Sequence, residues 1–350
     1  MIFLGAGASK ELGIKTMQEL TDDVINLLKN RGYKEETKEI IFALKQYAIK
    51  PDFEAIFSVI EGLVDVNRGI RQAGPLTAFV SKDLASLAHV PDAGNILNDL
   101  KILIYEECSK IKLDKLDEVF NPIFKERPKL QSRNWKNVAT RIVTTNYDMA
   151  VELYHWKKEM PLFDGFQSTG NPYIRKYTSS IPIIKNNPEG TTYANNNGKL
   201  LIKLHGSIWC FKQGNRIIKT ITDPKSHNIL SESQIGKQLM IYPTKEKPLM
   251  REPFYDFFNS FKQQGWDILV VIVYSFRDEP VNTILLEQLK KAKSPNVFVV
   301  DPNASEIVKN FDGYEEFASC FHNVNIEFGK EAYAAEFFEA INPYLQNYSY

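Results

Sequence analysis

Short apolar runs and amphipathic stretches divide this chain into strand-like and helix-like territory. Met1–Leu4, Ile142–Thr144, Leu200–Leu204, Leu239–Tyr242, Ile268–Tyr274, Val297–Val300 and Val324–Phe328 are short apolar runs, several of them continuous. Runs of this length fit strands buried on both faces, so a mostly parallel sheet is expected. Between about residues 33 and 134 the runs vanish and helical spacing replaces them. Ile40, Ile41, Leu44, Tyr47 and Ala48 form one apolar stripe, and Phe53, Ile56, Phe57, Ile60 and Leu63 another. Asp52 is placed to cap the second of these helices, with Glu54 adding negative charge to its first turn. Residues 33–134 thus read as an inserted all-helical subdomain in a core made of 1–32 and 135–350. Residues 165–199 carry Asn186-Asn187-Pro188-Glu189-Gly190 and Asn195-Asn196-Asn197-Gly198 and read as a polar loop or mobile cover within the core. Ala334, Phe337, Phe338, Ile341 and Leu345 close the chain as an amphipathic helix, with Pro343 expected to loosen its last turn.

Composition changes this picture little. The 350 residues are 43% hydrophobic and 25% charged, ordinary for a globular chain with a sizeable core. Forty-three basic and forty-three acidic residues cancel, which gives no global electrostatic case for nucleic acid or a membrane surface and leaves a local basic groove open. The three cysteines, Cys108, Cys210 and Cys320, are far apart and none has CxxC spacing. No zinc clip is expected, and a reducing, cytoplasmic setting fits. No basic-then-apolar leader precedes Gly5, and the longest apolar run is too short to span a bilayer.

The candidate chemistry lies where apolar runs end. Gly5-Ala6-Gly7-Ala8-Ser9 follows the first run and leads into Leu12, Met17, Leu20, Val24 and Leu27 at helical spacing. Such a turn lets a pyrophosphate approach the backbone, and it also serves as a plain strand-to-helix connection. Lys10 stands where a dinucleotide fingerprint wants its third glycine, and Ser9 where a Walker loop wants glycine before its lysine, which disfavours both usual families. Val143-Thr144-Thr145-Asn146-Tyr147-Asp148 ends a second run with an amide and a carboxylate, suited either to a pocket or to capping the next helix. Leu201-Ile202-Lys203-Leu204-His205-Gly206-Ser207 delivers a histidine to the end of a third run. There Gly206 permits a sharp turn that leaves the ring accessible.

Taken in order, GAGAS, TTNYD and LHGS resemble the motifs of the sirtuin superfamily, over about two thirds of the chain. Gly5, Ala6, Gly7 and Ser9 match its glycine turn for the NAD pyrophosphate. Thr144, Asn146 and Asp148 match its TQN-x-D motif, with Thr145 in place of glutamine, and His205 and Gly206 match its His-Gly motif. Tyr274-Ser275-Phe276-Arg277-Asp278 is similar to the GYSF-x-D stretch of prokaryotic sirtuin-like proteins, with Val273 where glycine would stand. The resemblance implies a Rossmann-like α/β fold with a mostly parallel sheet flanked by helices. It also implies NAD as substrate, Ser275 near the adenosine, and Asp301 and Asn303 near the adenine ribose. The four-cysteine zinc ribbon of the deacylating sirtuins is missing. So is their Ile-Pro-Asp-Phe stretch after the glycine turn, where Lys15-Thr16-Met17 follows Gly13-Ile14.

The closer likeness is therefore to the sirtuin-like NADases of bacterial antiphage defence, effectors of abortive infection. It implies NAD glycohydrolase activity, with His205 as base, Asn146 orienting ribose and water, and Asp148 in support. It also implies a homo-oligomer and a separately encoded trigger such as a HerA-type ATPase. Two alternatives stay open: an NAD-dependent protein deacylase, and a non-catalytic NAD or ADP-ribose sensing subunit.

Overall fold

The computed structural model describes residues 1–67, 93–124, 139–171, 173–178, 198–221, 238–241, 252–329 and 333–346. Seven strands pair in parallel: β1 (Ile2–Leu4), β2 (Arg141–Thr144), β3 (Leu162–Phe163), β6 (Lys199–Lys203), β10 (Ile268–Ile272), β11 (Asn296–Val300) and β12 (Phe321–Val324). Their order is β12-β11-β10-β1-β2-β6-β3. A smaller antiparallel sheet contains β4 (Phe166–Ser168), β5 (Ile174–Tyr177), β7 (Gly206–Gln213), β8 (Arg216–Thr220) and β9 (Gln238–Met240), ordered β4-β5-β8-β7-β9.

The parallel sheet is buried on both faces, as its continuous apolar runs require. Ile2 and Leu4 enter one core and Met1 and Phe3 the other. On the first face lie α1 (Met17–Asn30), α2 (Lys34–Gln46), α3 (Phe53–Asn67), α4 (Ala93–Ser109), α5 (Leu116–Phe124), α6 (Ala150–Lys157) and α11 (Tyr333–Gln346). On the second lie α7 (Phe254–Gln263), α8 (Glu279–Lys291), and the short α9 (Ala304–Ile307) and α10 (Tyr314–Phe317). This is a Rossmann-like α/β fold, as the sequence implies.

Local signals account for the helix starts. Thr16 and Glu19 form a reciprocal capping box on α1. Asp52 accepts from the Ala55 amide at 3.0 Å and caps α3, while Thr21 of α1 accepts from the Phe53 amide at 2.8 Å and ties the two helices together. Between residues 33 and 134 every described regular element is a helix, and α3 packs along α4. Among the described residues, no helix is long and apolar enough to cross a membrane.

Four expectations shift. Of the run Leu239–Tyr242, Leu239 and Met240 fall in β9 of the antiparallel sheet rather than in a strand of the parallel one, Tyr242 lying outside the described residues, and the last strand is Phe321–Val324, ahead of the expected Val324–Phe328. Within the polar stretch 165–199, residues 166–168 and 174–177 are β4 and β5, whose mixed polarity suits a sheet with one solvated face; residues 179–197 lie outside the described residues. Finally, α11 continues through Pro343 to Gln346.

Candidate active site

One line of register sets the geometry. Val300, Ile272, Leu4, Thr144 and Lys203 are successive partners across β11, β10, β1, β2 and β6, so all five strands end at one level. The chain leaves them as Asp301, Val273, Gly5, Thr145 and Leu204. Every residue singled out in the sequence stands at or just beyond that edge. The chain runs from β1 to β2 and β6 on one side, then to β10 and β11 on the other, which makes β1 the switch point where open α/β sheets bind ligands.

The glycine turn is shaped by its own chain. Gly5 donates to the Ile272 carbonyl at 2.9 Å, and Ala6–Ser9 forms a single 3-10 turn. A Cβ on Gly5 would stand 2.3 Å from the Val273 carbonyl oxygen, and one on Gly7 would stand 2.0 Å from Val273 Cγ1. The close approach these glycines permit is thus first that of the exit from β10. Ala6 stays exposed and Gly7 half-buried, while Ser9 is sealed beneath them.

Asn146 is held from below. Thr144 Oγ1 donates to the Leu4 carbonyl at 2.8 Å and accepts from the Asn146 amide at 3.0 Å. Asn146 Nδ2 donates to Ser9 Oγ at 3.3 Å, tying the second motif to the first. Asn146 Oδ1 is buried and has no hydrogen-bond partner among the described residues. Asp148, fully buried, accepts from the Ala150 amide at 2.9 Å; burial pushes its carboxyl up, against the pull of the nearby Lys203 ammonium. It braces the loop and the start of α6. Thr144 and Ser9 therefore sit as supports under Asn146.

A buried charge cluster, not anticipated from the sequence, anchors this loop. Lys203 donates to the Asp148 carbonyl and lies 3.3 Å from Glu152 of α6. Lys219 of β8 bridges Glu152 and Asp164, both at 2.8 Å, and Arg175 of β5 pairs with Asp164 at 3.0 Å. The cluster fastens the antiparallel sheet to the parallel one. Burial opposes the charge on Glu152, yet the Lys203 and Lys219 ammonium groups hold its carboxyl down to about 2. Asp164 and Glu152 likewise outweigh burial at Lys219 and raise its ammonium.

His205 follows β6. Its carbonyl accepts from the Ile241 amide at 2.9 Å, and its ring lies 6.1 Å from that of Tyr147, whose hydroxyl donates to the Ile241 carbonyl at 2.7 Å. Gly206 is required here, since its φ is +78° and a Cβ would stand 2.3 Å from the Leu239 carbonyl oxygen. His205 Nε2 lies 2.7 Å from Asp278 Oδ2, with both side chains more than nine-tenths buried. The sequence singled out the stretch holding Asp278 but gave that residue no role; the GYSF-x-D likeness was the available signal.

The exits of β10 and β11 lie across β1 from Asn146 and His205. Ser275 is exposed, and its carbonyl accepts from Asn310 at 3.0 Å. Asp301 is buried and accepts from the Asn303 amide at 2.7 Å, with burial raising its carboxyl, while Asn303 is exposed at the start of α9. Among the described residues, no group of three or more histidine, cysteine, aspartate or glutamate side chains is arranged to hold a metal ion. Cys108 and Cys210 are buried and Cys320 half-buried, all as free thiols.

Comparison with known proteins adds a family. The model of the SIR2-like domain matches residues 140–328, more than half of the chain. No curated protein matches it. Among solved structures, a mutant Sir2 homologue in complex with 2'-O-acetyl ADP ribose is similar at 13% identity and a TM-score of 0.44, covering 98% of this chain and 91% of that one.

Proposed function

The chain belongs to the SIR2-like domain family, and from that premise we propose that it is an NAD glycohydrolase, cleaving NAD to nicotinamide and ADP-ribose. One observation carries the reading: the amide oxygen of Asn146 is buried without a partner among the described residues, at the same strand-end level as a histidine held by a carboxylate. A buried acceptor left unsatisfied costs about 1–3 kcal/mol, a cost that a substrate hydroxyl or water hydrogen-bonded there removes.

The chemistry follows from the bond. Nicotinamide in NAD is a cationic pyridinium, so cleavage of its ribosyl bond needs little acid catalysis. The protein must hold the ribose, stabilise positive charge at the anomeric carbon and guide a water to it. Asn146 Oδ1 accepts from a ribose hydroxyl or the water, and His205 takes the proton that the attacking water releases. The diphosphate lies over the exposed Ala6 and the half-buried Gly7, and the adenosine extends toward Ser275, Asp301 and Asn303.

Deacylation is disfavoured by what replaces the deacylase features. Thr16 caps α1, and Lys15 pairs with Asp23 and, at 3.4 Å, with Glu107, so the stretch after the glycine turn is spent on the helix start. By the same resemblance the protein acts as an NAD-depleting antiphage effector, a cytoplasmic homo-oligomer released by a separately encoded trigger such as a HerA-type ATPase. Incubating the protein with NAD, alone and with its genomic neighbours, with and without an acyl-lysine peptide, tests the reading. Equal amounts of nicotinamide and ADP-ribose without peptide are expected. Strict peptide dependence would make it a deacylase, and intact NAD in every arm a binding subunit.

A further inference from the structure

We propose that Asp278 is a positioning residue that fixes the tautomer of His205 and stabilises the imidazolium formed during cleavage. The inference rests on the NAD glycohydrolase reading and adds a third member to its Asn146 and His205 pair. The segment 273–278 leaves β10, crosses the glycine turn and brings Asp278 Oδ2 to 2.7 Å from His205 Nε2. The other carboxylate oxygen, Oδ1, accepts from the Val281 amide at 3.3 Å and caps α8. Capping alone uses one oxygen and is served as well by serine or asparagine. The second oxygen is spent on the ring.

The segment is held firmly in this shape. Asn282 Nδ2 donates to the Phe276 carbonyl at 2.8 Å, and the Tyr274 hydroxyl donates to Asn282 Oδ1 at 3.4 Å. Val273 and Phe276 adopt φ of +47° and +52°, left-handed backbone that a β-branched and a bulky residue rarely take. Strain of that kind persists where the surroundings impose it, and it clusters at functional sites.

A carboxylate facing Nε2 accepts the proton there and leaves the lone pair of the neutral ring on Nδ1. In the cleavage, the bond between the anomeric carbon and nicotinamide breaks, and its electron pair neutralises the pyridinium nitrogen. A bond forms from the water oxygen to that carbon, and the water's proton passes to Nδ1. The resulting imidazolium faces the Asp278 carboxylate, a charge-assisted contact stronger than a neutral one.

The test uses Asp278→Asn and Asp278→Ala in the full chain. Asparagine keeps its one oxygen for the Val281 amide and places an NH2 group where Oδ2 stood, so the charge is removed and the group facing Nε2 donates instead of accepting, which drives the ring proton to Nδ1. Its kcat is expected to fall about 10²-fold with KM and melting temperature nearly unchanged, and Asp278→Ala is expected to fall further. Nitrogen-15 spectra of His205, assigned by loss of its signals in His205→Ala, should show the proton on Nε2 of the neutral wild-type ring. Wild-type kcat in Asp278→Asn, or a proton on Nδ1 of the wild-type ring, overturns the proposal even if Asp278→Ala fails to fold. If the wild-type protein itself releases no nicotinamide, the glycohydrolase reading falls, while the spectra still decide whether Asp278 sets the tautomer.

Discussion

Replacing Glu152 with glutamine probes the charge cluster that seats the Asn146 loop. Glu152 stands between Lys203 at 3.3 Å and Lys219 at 2.8 Å and is only 8% exposed, so solvent screens it little. These two ammonium groups overcome burial and move its carboxyl from the ordinary 4.5 to about 2. At about 1.4 kcal/mol per tenfold change in proton affinity, this corresponds to about 3 kcal/mol of folding stability. Because the folded value is the lower one, the contribution is complete above about pH 4.5 and is lost as pH falls through about 2. Glu152→Gln keeps the shape and removes the charge, leaving Lys203 against the Asp148 carbonyl and Lys219 with Asp164 alone. Urea unfolding followed by tryptophan fluorescence at pH 7 should place the variant about 3 kcal/mol below wild type, and at pH 3 by less than about half of that. A gap under about 1 kcal/mol at pH 7, or one that fails to narrow between pH 5 and pH 3, refutes the reasoning.

Gly7→Ala should cost about 1–3 kcal/mol, because its Cβ would meet Val273 Cγ1 at 2.0 Å; combined with Val273→Gly, most of the loss should return in the same unfolding assay. Val273→Gly alone relieves a φ of +47° at a β-branched residue and should leave stability equal or higher, read as melting temperature. Gly206→Ala combines a φ of +78° with a Cβ 2.3 Å from the Leu239 carbonyl oxygen, so a loss above about 1 kcal/mol and lower nicotinamide release are expected; unchanged melting and activity would count against the turn assignment.

The ends of the core strands were legible because burial leaves a direct mark on sequence. The apolar runs carrying Leu4, Thr144 and Lys203 stop where backbone turns begin, and the motif residues that follow stand at the strand-end edge of the parallel sheet. Partnership leaves no such mark. Nothing local announces that Asp278 reaches His205, because the pairing depends on how β10 crosses the turn at Gly5 and Gly7. The same holds for Lys203 and Lys219, whose ammonium groups are buried only because Glu152 and Asp164 arrive from other elements. Alternation was too brief in β4 and β5 to reveal a second sheet, and the run at Leu239 signalled burial without saying in which sheet.

Nicotinamide release from NAD at neutral pH by wild type, Asn146→Ala and His205→Ala, each checked for wild-type melting, tests the central claim most directly. The account expects turnover by wild type, with its activating partners where these are required, and loss of at least about 10²-fold in each folded variant. Full activity in either folded variant would contradict it.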